Sequence, residues 1–221
     1  SEYYEGGAEN YSYRLMHDMD SRIALCGSKK EFVEQLDAFF GYGAGPCEQL
    51  SFPTDPEVEK AGYALGRFTG MNNEPDMETP YAYIFAGRPD RTAEVVRAIT
   101  GNMYSAGPGG LPGNDDSGAL SSWYVWSTLG IFPVSGQEIY LIGTPHYPRS
   151  EIQLGPRSFV IHALDHAPEN IYVQNAWLNG QEIDRAYLRI DEFEDGGELK
   201  LEMGAEPSKW GTKLRPPSHR I

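Results

Sequence analysis

Residues Ser117–Ile142 read SGALSSWYVWSTLGIFPVSGQEIYLI, and the fold class turns on this stretch. Its first half, Ser117 to Leu129, carries Leu120, Trp123, Val125, Trp126 and Leu129, apolar nearly all round, which predicts a buried helix and not a surface one. After Pro133 the apolar period changes from 3.6 to 2, and Glu138–Ile142 reads as a strand. Everything upstream has helical period or none. Everything downstream, to about residue 204, comes as short alternating runs.

Upstream, Ser28 with Glu31 three residues later is a capping-box pattern, and Phe32, Leu36, Phe39 and Phe40 follow on one face before Gly41. Thr79-Pro80 is expected to supply an N-cap and a first-turn proline to a helix over Tyr81–Phe85 that Gly87 closes. Asp90–Met103 is a further helix with Val95, Val96 and Ile99 facing inward, and the glycines from Gly107 to Gly113 force a loop. Downstream, Glu151–Leu154, Ser158–Ala163, Asn170–Leu178 and Glu198–Met203 read as strands. Asn179-Gly180 between Leu178 and Gln181 is a strong hairpin turn signal. The expected class is α + β: a helical part over 1–132, an antiparallel sheet or small sandwich over 133–206, and an extended or disordered tail over 207–221.

Composition bounds the function. The chain has 221 residues, a net charge of −14 and a pI near 4.7, so no basic stripe exists for tracking phosphates and a nucleic-acid partner is not expected. With 40% hydrophobic residues a packed core is expected, and 25 Gly with 16 Pro occur without a short period, which excludes collagen-like repeats. No run approaches the roughly 20 apolar residues of a membrane span, and Ser1-Glu2-Tyr3 begins neither a signal peptide nor a chain with its initiator methionine, so the sequence reads as part of something longer. Cys26 and Cys47 are too few for a disulfide scaffold, and whether they pair stays open.

Three loops gather acids and amides beside glycine or proline, each ahead of a helix: Tyr4-Glu5-Gly6-Gly7-Ala8-Glu9-Asn10-Tyr11, Asn72-Asn73-Glu74-Pro75-Asp76, and Pro112-Gly113-Asn114-Asp115-Asp116-Ser117-Gly118. Each has a plain structural reading too. Asp116 is first of all an N-cap, and Glu5 and Glu74 taken singly are solvated acids. As a set they suit a hard cation such as calcium, with six to eight oxygen ligands, or a pair of carboxylates facing across a sugar. Signatures of zinc peptidases, α/β-hydrolases and P-loops are missing from the sequence. Among the histidines, His17 is expected to be partly buried and hydrogen-bonded, and His162 structural. Trp123 and Trp126 read as core more than as a sugar platform.

The order Tyr-Glu-Gly-x-Ala-x-x-Tyr-Ser…His-Asp-Met over Tyr4–Met19, Asn-Glu-Pro…Pro-Tyr-x-Tyr over Asn73–Tyr83, and Pro-Gly-Asn-Asp-Asp-Ser-Gly-Ala…Ser-x-Trp-Tyr-Val over Pro112–Val125 resembles glycoside hydrolase family 92, calcium-dependent exo-α-mannosidases. The resemblance implies that the chain is the C-terminal part of the catalytic region, holding the later helices of an (α/α)6 barrel and the strands after it. An N-terminal β-sandwich and the remaining barrel helices would be its partners in the parent chain. It implies an inverting hydrolase releasing mannose from mannose-containing oligosaccharides or glycoprotein glycans, with α-1,2 linkage as the default and a secreted or periplasmic location. Glu5 corresponds to the general acid, Asp116 to the general base, and Asn114 to a position where many members carry an assisting Asp. Asn73 and Glu74 are the expected protein ligands of calcium, with Asp115 a further one. The sequence departs from the pattern at Glu9, where many members have Trp, and at Met77-Glu78, where many have a His pair. A non-catalytic fragment, or a calcium-dependent sugar-binding module, is the competing expectation.

Overall fold

A computed structural model describes residues 7–14, 16–40 and 71–218. Six α-helices occur among them: α1 (Ala8–Ser12), α2 (Met19–Leu25), α3 (Lys29–Phe39), α4 (Ala82–Phe85), α5 (Pro89–Asn102) and α6 (Ala119–Leu129). Eight strands follow: β1 (Ile131–Pro133), β2 (Ile139–Ile142), β3 (Arg149–Leu154), β4 (Arg157–Leu164), β5 (Tyr172–Leu178), β6 (Gln181–Glu182), β7 (Tyr187–Arg189) and β8 (Gly197–Gly204). The α + β class is what the structure shows.

Helix α3 starts as its sequence dictates, with the Ser28 hydroxyl accepting from the Glu31 N–H at 3.1 Å, and it buries Phe32, Leu36 and Phe39. The Thr79-Pro80 expectation is corrected: Thr79 is not an N-cap but the first residue of a 3-10 turn, Thr79–Tyr81, that Glu78 precedes and that runs on into α4. Residues Tyr81 to Phe85 are all buried, and so are Val95, Val96 and Ile99 on α5. Helix α6 is less buried than its composition predicts. Leu120 and Trp123 are inside, whereas Val125 is 52% exposed and Trp126 only half-buried. An all-round apolar helix must bury every face only when neighbours cover every face. Gly130, at φ +88°, ends α6 where a Cβ would lie 2.8 Å from Pro145, so no other residue turns the chain there without displacing it.

The strands form two sheets, β1-β2-β7 and β3-β4-β8-β5-β6. The expectation of antiparallel pairing holds for every neighbour but one: β4 and β8 run parallel, with Ile161 opposite Leu199 and Ala163 opposite Leu201. Period-2 patterning fixes which face is buried but not the direction of the partner, so the sequence does not announce a mixed sheet. The Asn179-Gly180 turn joins β5 to β6 as expected, with both residues at positive φ.

Helices and sheets share one core, in which Tyr81 stacks on Phe132 with ring centroids 4.2 Å apart. The tail is an ordered strap as far as Ser218. Trp210 is buried and donates to the Ile183 carbonyl, the Gly211 N–H donates to Asp184, Arg215 pairs with Asp20, and the Asp20 N–H donates to the Ser218 hydroxyl. One buried indole anchors a segment that has no apolar period to reveal it.

Candidate active site

The described residues of the three acidic loops converge. Asn10 on α1 accepts from the Gly7 N–H at 2.8 Å, and its own amide donates to Asp76 Oδ2 at 2.8 Å, tying the first loop to the second. In the second loop Asn73 Oδ1 accepts from the Glu74 N–H at the head of a 3-10 turn, Glu74–Asp76, whose first-turn position suits Pro75 because no N–H bond is forfeited there. The third loop lies directly on the second, because a Cβ at Gly113 would stand 2.2 Å from the Asn72 carbonyl oxygen. Trp123 on α6 donates its indole N–H to the Met77 carbonyl at 2.7 Å, so the helix that follows the third loop is pinned to the second.

Of the residues singled out in the sequence, Asn73 and Glu74 sit together on the second loop. Asn114, Asp115 and Asp116 sit on the third, with Asn114 and Asp116 exposed. Glu5 and Cys47 lie outside the described residues. The N-cap reading of Asp116 is corrected. Asp116, Ser117 and Gly118 take φ +31°, +65° and +87°, three consecutive residues in the left-handed region, and Gly118 precedes the helix with no side-chain cap. For Asp116 and Ser117 this costs about 1–2 kcal/mol each, a cost concentrated at functional sites. Asp115 takes over the capping role, accepting from the Ser121 N–H at 2.7 Å and from the Ser121 hydroxyl. Those two bonds hold the Asp115 carboxyl below the usual carboxylate range.

Beside the loops opens a cleft of about 460 Å³ walled by Trp123, Trp126 and Phe132, with Arg14, His17, Glu74 and Glu78 as its polar lining. Trp126 packs against the core on one side and lines the cleft on the other, and His17 is exposed on the cleft, contrary to its expected burial. Glu78 is pushed up by burial, opposed by hydrogen bonds from Ser135 and by the charges of Arg14 and His17. Asp76 is 1% exposed, and burial lifts it to about 7 against the opposing Asn10 hydrogen bond and the Arg14 charge. Asp76 and Glu78 carry no role in the sequence reading. The signal available was an acid directly after Asn-Glu-Pro and another two residues on.

Two orphaned atoms bear on whether these residues suit a hard cation. Glu74 Oε1 and Asp76 Oδ1 are buried carboxylate oxygens with no hydrogen-bond partner among the described residues. An ionised carboxylate oxygen left unpaired, as Glu74 Oε1 is, is the kind of donor calcium takes. Among the described residues no cluster of three His, Cys, Asp or Glu side chains stands ready as a complete metal site, so amide, backbone or sugar oxygens would have to fill the remaining positions.

The glycosyl hydrolase family 92 catalytic domain matches residues 1–205. The chain belongs to this family. It is 32% identical over 223 residues to an uncharacterized secreted glycosidase of Arthroderma benhamiae, covering 98% of this chain and 26% of that protein. The family 92 inverting mannosidase of Bacteroides thetaiotaomicron VPI-5482 superposes with a TM-score of 0.83 at 30% identity, over 97% of this chain and 30% of that one. A family 92 α-mannosidase of Bacteroides thetaiotaomicron in complex with mannoimidazole gives 0.81 at 26% identity, over 96% and 28%. The chain thus spans between a quarter and a third of the length of these relatives.

Proposed function

We propose that this family 92 chain carries the catalytic loops of an inverting, calcium-assisted exo-α-mannosidase that acts on mannose-containing oligosaccharides or glycoprotein glycans outside the cell, with α-1,2 linkage as its preference. The observation that carries the reading is the convergence of the three loops, through Asn10–Asp76 and Gly113 on Asn72, beside a cleft with aromatic walls. The secreted glycosidase and the mannosidases that it resembles support the same substrate class and location. The parent chain would contribute a β-sandwich and further barrel helices as partners.

In this reading Glu5 protonates the leaving oxygen and Asp116 takes a proton from the attacking water. An inverting pair stands roughly 6.5–9.5 Å apart to admit that water. Asn114 orients the water beside Asp116. The exposed left-handed turn presents Asp116 to solvent, as a base that must stay ionised requires. Trp126, half-buried on the cleft wall, offers an apolar face to a sugar ring and excludes water from one side of it, with Trp123 buried behind it. Asn73 and Glu74 would hold the calcium ion, whereas the Asp115 carboxylate is already engaged by Ser121. Bound there it would supply positive charge to sugar hydroxyls and favour a flattened ring over the relaxed one.

The test is release of mannose from an α-linked mannobiose by the full-length protein, in calcium and in EDTA, with Asp116→Asn beside it. Release that needs both calcium and Asp116 is expected, and calcium should restore a chelated sample. Full activity in excess EDTA would sink the metal role, and an active Asp116→Asn enzyme the base assignment.

A further inference from the structure

Asp115 is anchored on two sides to the first turn of α6. Its carbonyl oxygen accepts from the Ala119 N–H at 2.6 Å, and its carboxylate accepts from the Ser121 N–H at 2.7 Å and from the Ser121 hydroxyl. Between these anchors the chain makes the left-handed turn Asp116-Ser117-Gly118. Neither Asp116 nor Ser117 favours that backbone region, so the turn persists only while both its ends are held. Helix α6 is itself fixed two residues further on, where Trp123 donates to the Met77 carbonyl beside Glu74. The line of contacts Asp116–Asp115–Ser121–Trp123–Met77 therefore runs from the exposed carboxylate to the second acidic loop.

We propose that Asp115 and Ser121 are a positioning pair, which fixes where Asp116 presents its carboxylate by clamping the left-handed turn to α6. This rests on the reading of Asp116 as the base, and it gives Asp115 a role distinct from metal ligation. The Asp115 carboxylate faces backbone and hydroxyl donors at a helix N-terminus, where a negative charge is satisfied without a cation. Ser121, on the far side of the clamp, touches no reacting atom in this arrangement and acts through Asp115 alone.

The experiment measures kcat, KM and the calcium concentration for half-maximal activity with α-linked mannobiose, for the full-length wild type, Ser121→Ala, Ser121→Thr and Asp115→Asn. A displaced base costs rate more than binding, so Ser121→Ala is expected to lower kcat about 10- to 100-fold with little change in KM. Ser121→Thr, which keeps the hydroxyl, should recover most of that loss. The calcium midpoint should stay where it is in all three variants. Wild-type kcat in both Ser121→Ala and Asp115→Asn would overturn the pair. So would an Asp115→Asn enzyme whose activity returns at high calcium, since that is the behaviour of a lost ligand. If Ser121→Ala and Asp115→Asn both lose their near-ultraviolet circular dichroism, the pair holds the fold of α6 and the positioning role is withdrawn. A wild type that releases no mannose removes the mannosidase reading, and the inference with it. An active wild type with unaffected variants removes only the inference.

Discussion

The helical part and the sheets of this chain are built to different standards of completeness. In the five-stranded sheet the buried residues of β4, β5 and β8, such as Phe159, Ile161, Ala176, Leu199 and Leu201, lie in register, and positive φ at non-glycine residues falls on the turns at Asp165 and Asn179. In the helical part Glu74 and Asp76 each bury a carboxylate oxygen without a partner among the described residues, and the residues before α6 are held in left-handed backbone. A group that the fold leaves unsatisfied can still meet a ligand, and a satisfied one has nothing left to offer, which is the contrast between the two parts.

The sharpest way to break that comparison is Asp116→Asn. Asparagine tolerates the left-handed region, so the variant should melt within a degree or two of wild type while mannose release falls by about two to four orders of magnitude. A matching loss of stability would show Asp116 to be part of the frame. Next in size is Phe159→Ala, deep in the sheet core and fully buried. It should lower stability by about 3–5 kcal/mol in denaturant melts and leave the turnover of each folded molecule unchanged.

The sequence made the frame readable and the site only half so. Ser28 with Glu31 marked a helix start because a cap is a local bargain between residues three apart. The Asn-Gly at 179 marked a turn for the same reason. Asp116 misled, since Asp115 and Asp116 are equally good caps on paper. Which one caps depends on a left-handed turn that only Gly118 hinted at. Thr79 misled likewise, and its buried hydroxyl has no partner among the described residues. The parallel β4–β8 pair and the burial of Trp210 depend on contacts between residues tens of positions apart, which periodicity does not encode. That Asp76 sits under Asn10 was equally out of reach from local pattern.

Two pH experiments sharpen the contrast. Asp76 is raised in the folded protein, from an ordinary 3.8 to about 7, so the native state holds a proton that the unfolded state releases. Its stability contribution is complete below pH 4 and is lost as pH rises towards 7. In EDTA, Asp76→Asn should flatten that decline and make the protein about 1–3 kcal/mol more stable at pH 8, at the expense of activity. A variant less stable at pH 8 would show that the carboxylate is wanted for packing. His146 runs the other way. It bonds Thr100 on α5, and burial first, then Arg97 and His166, depress it from 6.5 to about 4. Its contribution is present above pH 6.5 and lost as pH falls through 4, so melts between those values should show a drop of about 1–2 kcal/mol that His146→Gln removes. An unchanged slope in the glutamine variant would move the acid sensitivity elsewhere.

Strand β8 lies between β4 and β5 in its sheet and is the last of the three along the chain. During synthesis β3 and β4 emerge first, then β5 and β6, and the strand that joins the two pairs in the finished sheet, Gly197–Gly204, is made after both. The loops that carry Glu74 and Asp116 have by then been outside the tunnel for many residues. The five-stranded sheet is therefore complete only when its central strand, the last made, joins the two hairpins.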